Sequence, residues 1–177
     1  MATFNSPQTL LNSELLEQYL LGLLAQKLTK DGYKLATAES CTGGLISAVC
    51  TSVSGSSDWF DSAFVTYSNH AKTLQLGVDA QLIAEHGAVS EPVARAMAFG
   101  AARRSGAQVS IAVTGVAGPT GGSAAKPVGT VWFGFSLHGT LHSEVHLFAG
   151  DRAAVREATV RYALQRVLVL LEDDPHV

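Results

Sequence analysis

Three short apolar runs in this chain each break into a turn rich in glycine or hydroxyl side chains, and that recurrence narrows the folds open to it. Tyr33–Ala38 runs into Glu39-Ser40-Cys41-Thr42-Gly43-Gly44. Trp59–Tyr67 ends over Thr66-Tyr67-Ser68-Asn69-His70-Ala71-Lys72, and Val109–Val113 opens into a long loop from Thr114 to Pro127. Runs of this length bounded by such residues read as strands, and the segments after the first two carry helical spacing. Strands that alternate with helices build a layered α/β domain. If the three strands run parallel, their turns converge on one crevice at one end of the sheet, where open α/β sheets bind ligands.

The remaining segments fill in that plan. Residues 1–12 read as a flexible polar tail, and 13–177 as a single domain whose first helix is capped by Asn12 or Ser13 and closed at Asp31-Gly32. A helix follows the first turn over Leu45–Val53. Asn69 or Ser68 caps a short helix to Leu76, Asp79 starts another that stops at Gly87, and Ser90 caps a longer one to Arg104. That last helix is rich in alanine, which suits close packing in the core or against a second copy of the chain. Gly129–Leu137 and Leu141–Phe148 form a hairpin. A two-residue turn would set the apolar faces of its strands on opposite sides of the sheet, so an odd loop or a bulge is expected. A long helix opens at Gly150-Asp151-Arg152. The whole reads as a three-layer α/β/α domain around a mixed sheet with a late antiparallel hairpin.

Composition excludes several functions. Twelve Lys and Arg against 15 Asp and Glu leave a net charge of −3, without the basic footprint of a nucleic-acid binder. No run approaches the ~18 apolar residues of a membrane span, and the start lacks the pattern of a secretory signal. Cys41 and Cys50 read as reduced thiols of a cytoplasmic protein. His138, His142 and His146 lie on strands without metal-site spacing, so no metal or other cofactor is expected.

Glycine is the informative excess, since seven of the 17 lie at positions 43, 44, 115, 118, 121, 122 and 129. A strand-to-helix turn such as 39–44 can present a nucleophile and aim backbone N–H groups at one point. It can equally be an ordinary helix cap. Lys72, near a helix start, sits where the helix field favours the neutral amine and hence a general base; an exposed lysine is the alternative. The loop Gly115–Gly122 can hold an anion or simply be flexible, and Arg152 can supply a counter-charge or be a surface residue.

At these turns the chain becomes recognisable. Thr37-Ala38-Glu39-Ser40-Cys41-Thr42-Gly43-Gly44, Val65-Thr66-Tyr67-Ser68-Asn69 with Lys72, His86-Gly87-Ala88-Val89-Ser90, Thr114-Gly115-Val116-Ala117-Gly118-Pro119 and Lys126-Pro127-Val128-Gly129-Thr130-Val131 resemble the CinA C-terminal-domain family, over about residues 13–170. The length matches the stand-alone form without the extra N-terminal domain. Ala63 stands where members often carry Gly. The resemblance implies hydrolysis of the amide of nicotinamide mononucleotide, giving nicotinate mononucleotide and ammonia, in pyridine-nucleotide recycling. It implies a serine–lysine pair, which falls on Ser40 and Lys72.

The chemistry expected of that pair is nucleophilic attack by Ser40 with neutral Lys72 as base, and Tyr67 orienting or relaying. Amides of Thr42, Gly43 and Gly44 would hold the oxyanion. Thr114, Gly115, Gly118, Gly121, Gly122 and Arg152 would bind the nucleotide. Cys41 is the competing nucleophile. A small-molecule nucleotide and a second copy of the chain are the expected partners. The competing functions are a nucleotide-binding regulatory module without turnover and an interaction protein docking through the alanine-rich helix.

Overall fold

The computed structural model describes the backbone of residues 7–174 and the side chains of residues 15–174. Five strands form one sheet in the order β2-β1-β3-β4-β5, with β1 at Leu35–Glu39, β2 at Phe60–Val65, β3 at Val109–Gly115, β4 at Thr130–Leu137 and β5 at Thr140–Leu147. β1 is parallel to both β2 and β3, whereas β4 and β5 are antiparallel to their neighbours. The sheet is mixed, with the late hairpin at one edge, and the turns after β1, β2 and β3 emerge together from one end.

Strand alternation sorts the core into two halves. On one face, Leu35, Ile111, Phe133 and Phe135 pack with Leu21, Leu24 and Leu28 of α1 (Pro7–Asp31), Ile46 of α2 (Leu45–Cys50) and Leu164 and Val167 of α6 (Arg152–Glu172). On the other, Ala36, Ala38 and Ala112 pack with Leu76 of α3 (Asn69–Leu76), Ile83 of α4 (Ala80–His86) and Met97, Ala98 and Ala101 of α5 (Glu91–Ser105). Three layers result. The helices that follow β1 and β2 lie on opposite faces, which opens a crevice at the carboxyl end of β1.

The small residues of α5 let it sit directly on the sheet: a Cβ on Gly134 of β4 would lie 2.3 Å from the Ala94 carbonyl oxygen. That helix belongs to the core, with Val93, Ala94, Met97, Ala98 and Ala101 fully buried. No helix among the described residues is long and apolar enough to cross a membrane.

Two expectations are corrected. α1 begins at Pro7, upstream of the Asn12–Ser13 cap. The hairpin turns through two residues, His138 and Gly139, at φ 50° and 86°, and pairs Leu137 with Thr140 without any bulge. Positive φ at both turn residues matches the twist of paired strands. The apolar faces of β4 and β5 are therefore mismatched, and α6 makes this tolerable. Polar residues of β5 turn toward it, where Glu144 accepts hydrogen bonds from the Tyr162 hydroxyl and from Arg166 Nε at 2.6 Å. His146 packs on Tyr162 with ring centroids 4.0 Å apart. Val145 and Leu147 are left on the outer face of the edge strand, 47% and 65% exposed.

Candidate active site

Adjacent residues in a strand point to opposite faces, and at the end of β1 that rule sends Glu39 and Ser40 to different layers. Ser40 faces the α3 layer. Its amide donates to the Val113 carbonyl at 3.0 Å, which fixes it to the end of β3. Lys72, in the first turns of α3, is 1% exposed, and its Nζ lies 3.0 Å from Ser40 Oγ. Ser68, rather than Asn69, caps this helix, accepting from the Ala71 amide at 3.0 Å.

A second contact aims the lysine. Its Nζ donates to the Thr66 carbonyl at 2.8 Å, and the Thr66 amide in turn donates to the Glu39 carbonyl at 2.8 Å. Serine and lysine are thus referenced to the same strand end. No carboxylate forms an ion pair with Lys72 among the described residues. Burial lowers its pKa from 10.5 to about 8, against a smaller opposing influence from Cys41. A substantial neutral fraction at mildly alkaline pH, aimed at a hydroxyl, is what a general base requires.

Cys41 turns the other way. It is 5% exposed and packs in the apolar layer with Ile46 and Val113. Burial pushes its thiol up to about 11, with the Glu39 charge adding to the rise. A buried thiol kept protonated, with no hydrogen bond to the lysine among the described residues, is a poor nucleophile.

The turn itself is tied internally. Gly43 N donates to the Ser40 carbonyl at 3.1 Å and Gly44 N to Glu39 Oε2 at 3.0 Å. Two of the three amides expected to meet an oxyanion therefore already have acceptors. The Thr42 amide, with that of Cys41, lies against the Cys41 sulfur instead. Thr42 Oγ1 donates to Glu39 Oε2 at 2.7 Å.

Beside the turn lies a cavity of about 630 Å³, whose lining includes Ala117, Pro119, Val128, Asp151, Arg152 and Arg156. Arg152 Nη1 donates to the Gly118 carbonyl at 3.0 Å and its Nη2 to the Tyr67 hydroxyl at 2.8 Å. Arg156, one helical turn further along α6, donates from Nη2 to the Thr42 carbonyl at 2.7 Å, while its buried Nε has no partner among the described residues. Two guanidinium groups at a helix N-terminus thus border the cavity and connect it to the nucleophile turn.

The other expected residues fall into two groups. Gly118 belongs to the cavity wall through its carbonyl, and Tyr67 stands at the rim, 61% exposed and engaged with Arg152 rather than with Lys72. Thr114 and Gly115 lie within β3, not in the loop. Thr114 is buried and donates to the Ala88 carbonyl at 2.8 Å, and a Cβ on Gly115 would come 2.7 Å from Val131. Gly121 faces Val116 at the start of the loop and Gly122 its return segment, a Cβ on Gly122 meeting Val128 N at 2.9 Å. Arg156 and the Glu39 carboxylate carry no role in the reading of the sequence, although Arg156 stands at i+4 from Arg152, on the same helix face.

A family model described as the CinA C-terminal domain matches residues 17–171. The nicotinamide-nucleotide amidohydrolase PncC of Escherichia coli K12 is 48% identical over 155 residues, covering 87% of this chain and 93% of that protein. A CinA-like protein of Syntrophobacter fumaroxidans is 46% identical over 166 residues; the match covers 94% of this chain but only 38% of that longer protein. Among solved structures, a competence-damaged protein (CinA) superfamily protein from Escherichia coli superimposes with a TM-score of 0.84 at 41% identity, over 87% of this chain and 90% of that one.

Proposed function

The chain belongs to the CinA C-terminal-domain family, and from that premise we propose that it is an amidohydrolase that converts nicotinamide mononucleotide and water to nicotinate mononucleotide and ammonia. The observation that carries the proposal is the 3.0 Å approach of a buried Lys72, without an ion pair among the described residues, to Ser40. The name of the similar Escherichia coli protein supports the substrate.

A serine hydroxyl attacks an amide only when its proton is removed as the bond forms. Neutral Lys72 takes that proton while Ser40 Oγ adds to the carboxamide carbon. The negative charge that develops on the carbonyl oxygen calls for N–H donors from the backbone of the turn. As the tetrahedral species collapses, Lys72 returns the proton to the leaving nitrogen. Ammonia departs and an ester to Ser40 remains. Lys72, neutral again, takes a proton from water as the water oxygen attacks the ester carbon, and gives it to Ser40 Oγ as the ester bond breaks; the acid so released loses its proton to solvent as the carboxylate.

The nucleotide portion fits the adjoining cavity. Arg152 and Arg156 border it, two cations suited to one phosphate group beside the Asp151 carboxylate that caps α6. A net charge of −3 is no obstacle, since the positive field is local. Incubation of the purified protein with nicotinamide mononucleotide tests the proposal. Stoichiometric nicotinate mononucleotide and ammonia are expected; unchanged substrate at high enzyme concentration would refute it.

A further inference from the structure

Helix α2 is six residues long and its N-cap is Gly44, which has φ 99° and offers no side-chain cap. Such a helix cannot satisfy its own leading amides, yet it must hold the turn that carries Ser40. The acceptors come from Glu39. Its Oε2 accepts from Thr42 Oγ1 at 2.7 Å, Gly44 N at 3.0 Å and Ile46 N at 3.0 Å, and its Oε1 from Ser47 N at 2.8 Å and Thr37 Oγ1 at 3.3 Å. The residue is fully buried and has no cationic partner among the described residues. Five donors and no acceptor surround it, an arrangement that suits a carboxylate.

We propose that Glu39 is the positioning residue of this site, a buried carboxylate that closes the turn between β1 and α2 so that Ser40 Oγ meets Lys72 Nζ. The inference deepens the amidohydrolase reading and rests on Ser40 as nucleophile. Its logic is geometric. Residues 40–43 are bracketed by one side chain that grips the turn's hydroxyl and the helix start together, while the Glu39 carbonyl holds the Thr66 amide that orients the lysine's acceptor. Losing the grip lets the turn relax without touching substrate or base, so turnover suffers while affinity and the titration of Lys72 do not.

Glu39→Gln keeps the shape and one acceptor oxygen. Oriented to serve Thr42, Gly44 and Ile46, it turns an NH2 group on the Ser47 amide. Glu39→Ala removes every acceptor. The expected order is therefore wild type above Gln above Ala. We expect a kcat about 10- to 100-fold lower in Glu39→Gln, with KM within threefold and the alkaline midpoint of the pH profile unmoved. Thr42→Val, which removes one donor only, is expected to lose about fivefold in kcat, and Thr42→Ser to regain it. Should the Glu39 variants fail to fold, as judged by circular dichroism, the Thr42 pair decides the question. A folded Glu39→Gln with wild-type kcat, or a Thr42→Val with unchanged kcat, would overturn the proposal. The rate at which a fluorophosphonate labels Ser40, read by peptide mass, separates this claim from the identity of the substrate. It is expected to fall at least tenfold in Glu39→Gln even if nicotinamide mononucleotide proves not to be hydrolysed; equal labelling rates contradict the role of Glu39.

Discussion

Arg152 Nη2 donates to the Tyr67 hydroxyl at 2.8 Å, joining the start of α6 to the segment after β2 across 85 positions of sequence. The same guanidinium holds the Gly118 carbonyl, so one exposed side chain ties two walls of the crevice together. In the proposed reaction it also faces the nucleotide phosphate. Arg152→Ala is expected to raise KM about 10- to 100-fold, the worth of one charge-assisted hydrogen bond, with a smaller effect on kcat. Tyr67→Phe, which leaves the charge in place, is expected to raise KM only a few-fold. Steady-state kinetics of both variants check this; equal effects would show that the hydroxyl, not the cation, carries the binding.

Lys72 must be neutral to accept the Ser40 proton. Its lowered pKa of about 8 makes kcat/KM rise with pH through a midpoint near that value and level off above it. Lys72→Arg preserves the charge but cannot deprotonate, and is expected to lose activity by at least about a thousandfold. A flat profile from pH 6 to 9, or an active arginine variant, would exclude Lys72 as the base.

Burial of the same amine has a cost in stability. Below about pH 8 folded and unfolded chains both carry the proton, and the folded one bears a buried charge. Between about 8 and 10.5 the unfolded chain binds more protons, so stability rises with pH, and above that range the cost has gone. The displacement corresponds to roughly 3 kcal/mol. Lys72→Met leaves the Thr66 carbonyl without its donor, so a net gain of about 1–3 kcal/mol at pH 7 is expected, shrinking toward pH 10. Urea melts at several pH values measure it, and a difference independent of pH would contradict the assignment.

The alternation of strands and helices was legible because the apolar periods of the elements up to β4 match their places in the layers. The order of elements is as read, and the three turns converge because β1, β2 and β3 are parallel. The hairpin was legible as a pair of strands, but its turn and register were not. Its two-residue turn follows from His138 accepting a positive φ, and its mismatched faces are compensated by Tyr162 and Arg166, more than fifteen residues away. At the site, Ser40 and Lys72 were legible as residue types at a strand end and a helix start. Their distance was not, since it depends on Thr66 being fixed to β1. The glycine excess misled in part: Gly115 is required by strand packing against Val131, and Gly122 by the loop's own closure on Val128. Arg156 escaped notice because its meaning lies in a contact with the Thr42 carbonyl across 114 positions.

Ammonia release from nicotinamide mononucleotide by Ser40→Ala and, separately, Cys41→Ala tests the central claim most directly. Cys41 is buried and its thiol raised to about 11, so Cys41→Ala is expected to stay within a few-fold of wild type. Ser40→Ala, folded and still able to bind the nucleotide, is expected to lose at least about a thousandfold in kcat. Survival of activity in Ser40→Ala, or its loss in a folded Cys41→Ala, would contradict the serine–lysine account.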